Sequence, residues 1–272
     1  MEHEIITSLQ NPRIKRLLQL QQKSSERRKT GLFVVEGQRE IQHALDAGYS
    51  LDTVFCCREI IAGGSRDNAD VDAIMLLAEQ SGRVVEISPA VYEKVAYRGS
   101  TEGVIAEMKT GTKTLADLRL PDQPLVVVLE SVEKPGNLGA ILRTADAAGI
   151  DAVIVCDPLT DLYNPNLIRS SIGAIFTVPC IACSSSDCIA YLKERNIQIL
   201  TAQLQDSSLY YDTDMRRATA IVMGTESTGL TQQWREAADA HIRIPMLGRL
   251  DSLNVSVSAA VLMYEAVRQR EG

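Results

Sequence analysis

Residues 124–149 read PLVVVLESVEKPGNLGAILRTADAAG. Leu125 to Leu129 are consecutive β-branched and leucine residues, a composition suited to a strand buried on both faces, as in a parallel sheet covered by helices. Pro135 and Gly136 then shape a turn, and Asn137 stands where it can cap a following helix. Gly139 permits close backbone approach, and the apolar run Ala140, Ile141, Leu142, Ala145, Ala147, Ala148 has helical spacing closed by Gly149. The next segment, IDAVIVCD, is again strand-like. Strand, helix and strand joined by short connections predict a βαβ unit and a parallel sheet.

The same alternation continues to the C-terminus: helix NPNLIRSSIG, strand AIFTVPCI, helix SSDCIAYLKERN, strand IQILTAQ, strand ATAIVMG, helix TQQWREAAD, strand AHIRIP and helix LNVSVSAAVLMYEAVRQR. Upstream, NPRIKRLLQLQQKSSERRKTG reads as one helix opened by Pro12 and ended by Gly31. LFVVEG, DTVFCC, RVVEIS and TEGVIAEMK read as strands, with helices in QREIQHALDAGY, VDAIMLLAEQSG and PAVYEKVAY. The polar stretch TGTKTLADLRLPDQP, carrying Pro121 and Pro124, reads as a linker. The expected organisation is therefore two α/β domains, residues 1–110 and 125–272, joined by 111–124. At 272 residues and 45% hydrophobic content, the chain is long enough for both cores.

No run of about 18 apolar residues exists, so no membrane span is expected, and the N-terminus lacks the pattern of a signal peptide. Six cysteines are scattered along the chain. Cys180 and Cys183 have C-x-x-C spacing, but no second pair with histidine completes a zinc set, so free thiols in a cytoplasmic protein are expected. The net charge of -7 argues against a protein that simply coats nucleic acid. Between Asn11 and Arg39, however, eight basic residues, including Lys15, Arg16, Arg27, Arg28 and Lys29, face only Glu26 and Glu36. That local excess of six positive charges fits a phosphate footprint and a solvated helix face equally well.

Ligands of open parallel sheets bind beyond the carboxyl ends of strands, and three such ends carry unusual residues. The first holds Asn137 and Arg143, the latter either a snorkelling arginine or a fixed cation beside a phosphate. The second, MGTESTGL, places Gly224 at a strand end and Glu226 in a turn. The third, IPMLGRLDSLNVSVSAA, offers apolar Ile244, Met246 and Leu253 beside Ser252 and Asn254. Ser and Asn at a helix entry are ordinary caps, yet apolar walls with a few polar groups also suit a flat heterocycle. The first turn is not G-x-G-x-x-G, which argues against a nicotinamide dehydrogenase.

NLGAILRTA, MGTESTGL and IPMLGRLDSLNVSVSAA, in this order, resemble the three motifs of the SpoU (TrmH-type) RNA 2′-O-ribose methyltransferases of the SPOUT superfamily, over roughly residues 124–270. The N-terminal half, including FVVEG, resembles the L30e-type RNA-binding domain of rRNA-directed members. The resemblance implies a deep trefoil knot, S-adenosylmethionine held against Gly224, Ile244, Met246, Leu253 and Asn254, and a polar active site of Asn137, Arg143, Glu226, Ser252 and Asn254. It further implies a homodimer through the knotted domain and an RNA substrate contacted by Arg143 and by the basic N-terminal residues, rRNA ahead of tRNA. VEKPGN departs from the Asp-Pro pair many relatives carry before the asparagine, and Arg249 and Asp251 make the third loop more charged. A base-directed methyltransferase and a non-catalytic ribosome-assembly factor are the competing readings.

Overall fold

In a computed structural model, the described residues are 5–63, 69–97, 102–225, 228–249 and 252–271. They fall into two compact units: Met1–Thr112 with Tyr163–Gly173, and Lys113–Leu162 with Ala174–Gly272. The excursion Tyr163–Gly173 has no counterpart in the sequence reading, which kept everything after the linker in one domain.

The first unit begins with α1 (Pro12–Gln22) and α2 (Ser24–Thr30), followed by β1 (Leu32–Glu36), α3 (Gln38–Asp46), β2 (Leu51–Cys56), α4 (Arg58–Gly63), α5 (Ala69–Gln80), β3 (Val84–Glu86), α6 (Pro89–Val95) and β4 (Val104–Lys109). Its sheet has the order β1-β4-β2-β3. Only β2 and β3 run parallel, because β4 lies antiparallel to both β1 and β2.

The single N-terminal helix expected from the sequence is two helices. Asn11 Oδ1 accepts from the Arg13 amide at 2.9 Å, Pro12 opens α1, and Ile14, Leu17 and Leu20 bury one stripe. Lys23 then adopts extended backbone and breaks the run, and α2 closes on Gly31 at φ 66°. This break turns Arg27 inward. It is 3% exposed, and its guanidinium donates to the Leu20 and Gln21 carbonyls, satisfying the open C-terminal end of α1. Arg27 therefore caps a helix and is buried, not one of the exposed cations that the expected phosphate footprint requires. Arg16 is likewise engaged: it pairs with Glu107, which is fully buried on β4, and with Asp52 at 3.2 Å. Lys15, Arg28 and Lys29 remain exposed.

The excursion supplies α8 (Pro165–Ser170), capped by Asn164. Tyr163 lies against Phe33 of β1 with ring centroids 4.6 Å apart, and its hydroxyl accepts from Gly111 N and donates to Gly111 O.

The second unit contains β5 (Leu125–Glu130), α7 (Pro135–Ala147), β6 (Ala152–Cys156), α9 (Ala174–Thr177), β7 (Cys180–Cys183), α10 (Ser185–Glu194), β8 (Gln198–Ala202), β9 (Ser208–Leu209), β10 (Thr219–Met223), α11 (Gln232–Ala237), β11 (Ala240–Arg243) and α12 (Val255–Glu271). The order is β7-β6-β5-β10-β8-β11-β9, and every pairing is parallel. Strands β5, β6 and β10 are buried at every position. One face packs with Trp234, Leu192 and Tyr191 from the helices. AIFTVPCI departs from the expected strand: Ala174, Ile175 and Phe176 are buried in a helical turn closed by Val178 N on Ala174 O, and extended chain begins only at Cys180. Burial of that face overrides the weak β preference of the residues. No helix among the described residues is long and apolar enough to cross a membrane.

Candidate active site

The strand order turns at β5. From there the chain builds β6 and β7 to one side, while β10, β8, β11 and β9 form the other. Such a switch point leaves a crevice beyond the carboxyl ends of the two central strands. A cleft of about 130 Å³ lies there, lined by Val132, Glu133, Lys134 and Asn137 after β5, Gly224 and Thr225 after β10, and Val255 at the head of α12. Pockets for whole small molecules run to about 300–1,000 Å³, so this cleft has room for only a portion of such a molecule.

Asn137 stands within the first turn of α7, not at its cap: Pro135 is the opening helical residue and Lys134 takes the cap position. Its side chain is thereby released from the helix end. Asn137 Oδ1 accepts from Asn254 Nδ2 at 3.2 Å. Asn254 uses its other amide atom as a helix cap, Oδ1 accepting from Ser256 N at 2.9 Å and from Ser256 Oγ at 2.6 Å. Asn254 is thus both a cap and one half of an amide pair that joins two motifs 117 residues apart.

Gly224 is required by its own loop. A Cβ there would stand 2.3 Å from the Gly229 carbonyl carbon and 2.5 Å from Leu230 N. Gly229 N returns to Thr225 O at 3.1 Å with φ 67° at Gly229, and Thr225 Oγ accepts from Thr228 N at 3.0 Å. The missing side chain lets the loop fold onto itself beside the cleft.

The remaining expected residues are placed differently. Arg143 is exposed further along α7 and does not line the cleft. Ser252 and Leu253 are exposed before α12, and Ile244 and Met246 are half-buried after β11; none of the four lines it. Glu226 and Asp251 lie outside the described residues.

Two features escaped the sequence reading. Glu130, the last residue of β5, is 2% exposed. Its carboxylate accepts from Thr231 N at 2.8 Å, Thr231 Oγ at 2.6 Å and Ser185 Oγ at 3.3 Å, while Trp234 Nε1 donates to Ser185 Oγ. It pins the end of the Gly224–Leu230 loop to the strand that leads into the cleft. A lone carboxylate closing an apolar run was the available signal. The second feature is a cavity of about 450 Å³ in the first unit, whose lining includes Gln21, Glu36, Arg39, Lys94, Tyr97 and Arg169. The Arg169 guanidinium stacks 3.9 Å from the Tyr97 ring centroid. Arg169 is read from sequence only as part of a helix, because the partner it stacks on is 72 positions away.

Comparison with known proteins places these residues in context. The SpoU rRNA Methylase family profile matches residues 124–264, and an MRM3-like substrate binding domain matches residues 11–106. The 23S rRNA (guanosine-2′-O-)-methyltransferase RlmB of Bordetella pertussis is 36% identical over 224 residues, covering 79% of this chain and 90% of the relative. A crystal structure of an RNA 2′-O ribose methyltransferase matches with a TM-score of 0.80 at 39% identity, over 99% of this chain and all of that one. The AdoMet-bound rRNA methyltransferase of Sinorhizobium meliloti matches with a TM-score of 0.86 at 27% identity, over 98% of both chains. With motif, sheet topology and profile in agreement over the second unit, the chain belongs to the SpoU rRNA methylase family.

Proposed function

We propose that the protein transfers a methyl group from S-adenosylmethionine to a ribose 2′-OH of ribosomal RNA. The observation that carries this reading is the meeting of Asn137 and Asn254 beside Gly224 at the switch point of a SpoU-family sheet. The apolar surfaces of Val132 and Val255, the main chain at Gly224 and the two side-chain amides fit an uncharged portion of a nucleoside. When bound, S-adenosylmethionine supplies a methyl group made electrophilic by its sulfonium.

The chain's own residues supply position. The Asn137–Asn254 pair orients hydroxyl groups at the cleft, and Ser252 adds a hydroxyl at the same loop. Ile244, Met246 and Leu253 flank the adenine. Arg143 holds the target phosphate and ribose; a guanidinium offers five N–H donors and no acceptor, which suits it to holding and not to taking a proton. The hydroxyl proton then passes to a phosphate oxygen, to a carboxylate such as Glu226, or to water. Positioning of this kind can contribute about 7–11 kcal/mol to lowering a barrier.

In the same reading the second unit carries a deep trefoil knot and the first unit is an L30e-like RNA-binding domain, with residues 111–124 as the linker. Exposed Lys15, Arg28 and Lys29 contact backbone phosphates. The exposed apolar Leu247, Leu253, Val257 and Tyr264 support a homodimer through the methyltransferase unit, since Val257 and Tyr264 share one face of α12. The site of action is the cytoplasm, where rRNA is made and modified.

The test is incubation of purified protein with radiolabelled S-adenosylmethionine and total RNA from a strain lacking the gene. Label in an rRNA band that resists alkaline cleavage at one nucleotide is the expected result. Label at a base, label only in tRNA, or tight RNA binding without label would replace the reading with one of its competitors.

A further inference from the structure

Away from the cleft, three thiols from three different elements converge in the second unit. Cys156 ends β6, Cys183 ends β7 and Cys188 lies in the first turns of α10. Their sulfurs all lie within 4.8 Å of one another. Cys156 and Cys188 are buried, whereas Cys183 is half-buried and gives the cluster one open side. No disulfide joins any of them.

The C-x-x-C spacing of Cys180 and Cys183 does not create this group. Both lie on a strand, where residues three apart point to opposite faces; Cys183 joins the core cluster with Ile181, while Cys180 faces the other way. The backbone beneath the trio is fixed. Ser131 N donates to Cys156 O at 2.8 Å, Asp157 N to Cys183 O at 2.9 Å, and Cys188 N to Ser184 O at 3.0 Å. Asp157 Oδ2 also accepts from Ser185 N and Oγ, tying the end of β6 to the start of α10. The sulfurs therefore hang from a preset frame, which removes much of the ordering cost of chelation.

We propose that Cys156, Cys183 and Cys188 form a binding site for a thiophilic d¹⁰ metal ion of the zinc class, three thiolates holding the ion and a fourth position open on the Cys183 side. Zn–S bonds of about 2.3 Å in tetrahedral geometry set sulfurs ~3.8 Å apart, so closure asks for a contraction of at most about 1 Å, within reach of side-chain torsions. Sulfur donors select soft or borderline ions over magnesium or calcium. Three thiolates around a divalent ion leave one net negative charge, and the open side admits water to solvate it.

The experiment uses the full-length reduced protein under anaerobic conditions. Zn(II) retained through desalting is counted, and Cd(II) is titrated while its thiolate charge-transfer absorption is followed. One equivalent per chain, with an absorption of three thiolates per Cd(II), is expected. Cys183→Ser should lose that equivalent, and Cys180→Ser should keep it; circular dichroism of both variants confirms that they fold. The thermal midpoint should rise with Zn(II) in the parent and in Cys180→Ser but not in Cys183→Ser. Absence of a saturable equivalent or retention by Cys183→Ser would show three thiols packed together as core residues only, and equal loss in Cys180→Ser would place the metal away from this trio.

Discussion

Asn254 divides its amide between two tasks: Oδ1 caps α12 through Ser256, and Nδ2 reaches Asn137 at 3.2 Å. The two tasks can be separated. Asn254→Ala loses both and should lower stability by about 1 kcal/mol, the usual worth of a cap, together with activity. Asn254→Asp keeps an acceptor for Ser256 but has nothing to donate to Asn137. It should hold the parent's thermal midpoint while methyl transfer falls. Equal activity in Asn254→Asp would remove the amide pair from the mechanism.

Arg143 is exposed and free of the cleft lining, so its replacement should leave the pocket intact. Arg143→Ala should reduce methyl transfer by about 10²–10³-fold or more, the scale for losing one transition-state contact. Calorimetric binding of S-adenosylmethionine should be unchanged.

The basic N-terminal segment splits into two groups with opposite phenotypes. Arg28→Ala with Lys29→Ala should weaken RNA binding and lower the salt slope by roughly 0.7–0.9 for each lost phosphate contact. Arg27→Ala should instead destabilise the fold by about 1–3 kcal/mol, because the Leu20 and Gln21 carbonyls lose a buried charged donor. RNA affinity per folded molecule should not change in that variant. A filter-binding salt series beside a denaturation curve distinguishes them.

Burial pushes the Glu107 carboxyl up, and Arg16 pulls it back down. Arg16→Met leaves burial unopposed and should destabilise the protein at neutral pH by up to about 3–5 kcal/mol, less for the partial exposure of Arg16. The sign with pH follows from the direction of the shift. A carboxyl whose folded pKa is raised binds its proton more tightly in the folded state, so the penalty is full above the folded pKa. It fades as pH falls toward the ordinary glutamate value of 4.5. The gap in thermal midpoint between variant and parent should narrow on mild acidification.

What was readable in the sequence was local. LVVVLE announces a doubly buried strand because no polar side chain interrupts it, and of the strand-end motif residues Asn137 and Gly224 line the cleft whereas Arg143, Ile244, Met246, Ser252 and Leu253 do not. Asn137 misleads as a cap because Pro135, two residues earlier, already starts the helix, and a side chain at the third helical position has the same local signature. The charge run does not reveal Arg27, since its inward turn depends on a break at Lys23 that no proline or glycine marks. The cysteine trio is invisible to spacing because its members come from two strands and a helix brought together by sheet register.

The excursion Tyr163–Gly173 has a consequence for the order of synthesis. A chain leaving the ribosome at about 5–20 residues per second completes β4 of the first unit well before α8 exists. Until residue 173 has emerged, Phe33 lacks Tyr163, and β1 packs with α1, α2 and α3 but not yet with α8. The N-terminal unit therefore cannot finish first and alone. Its last helix arrives only after β5 and β6 have been made, so completion of the first unit overlaps synthesis of the second.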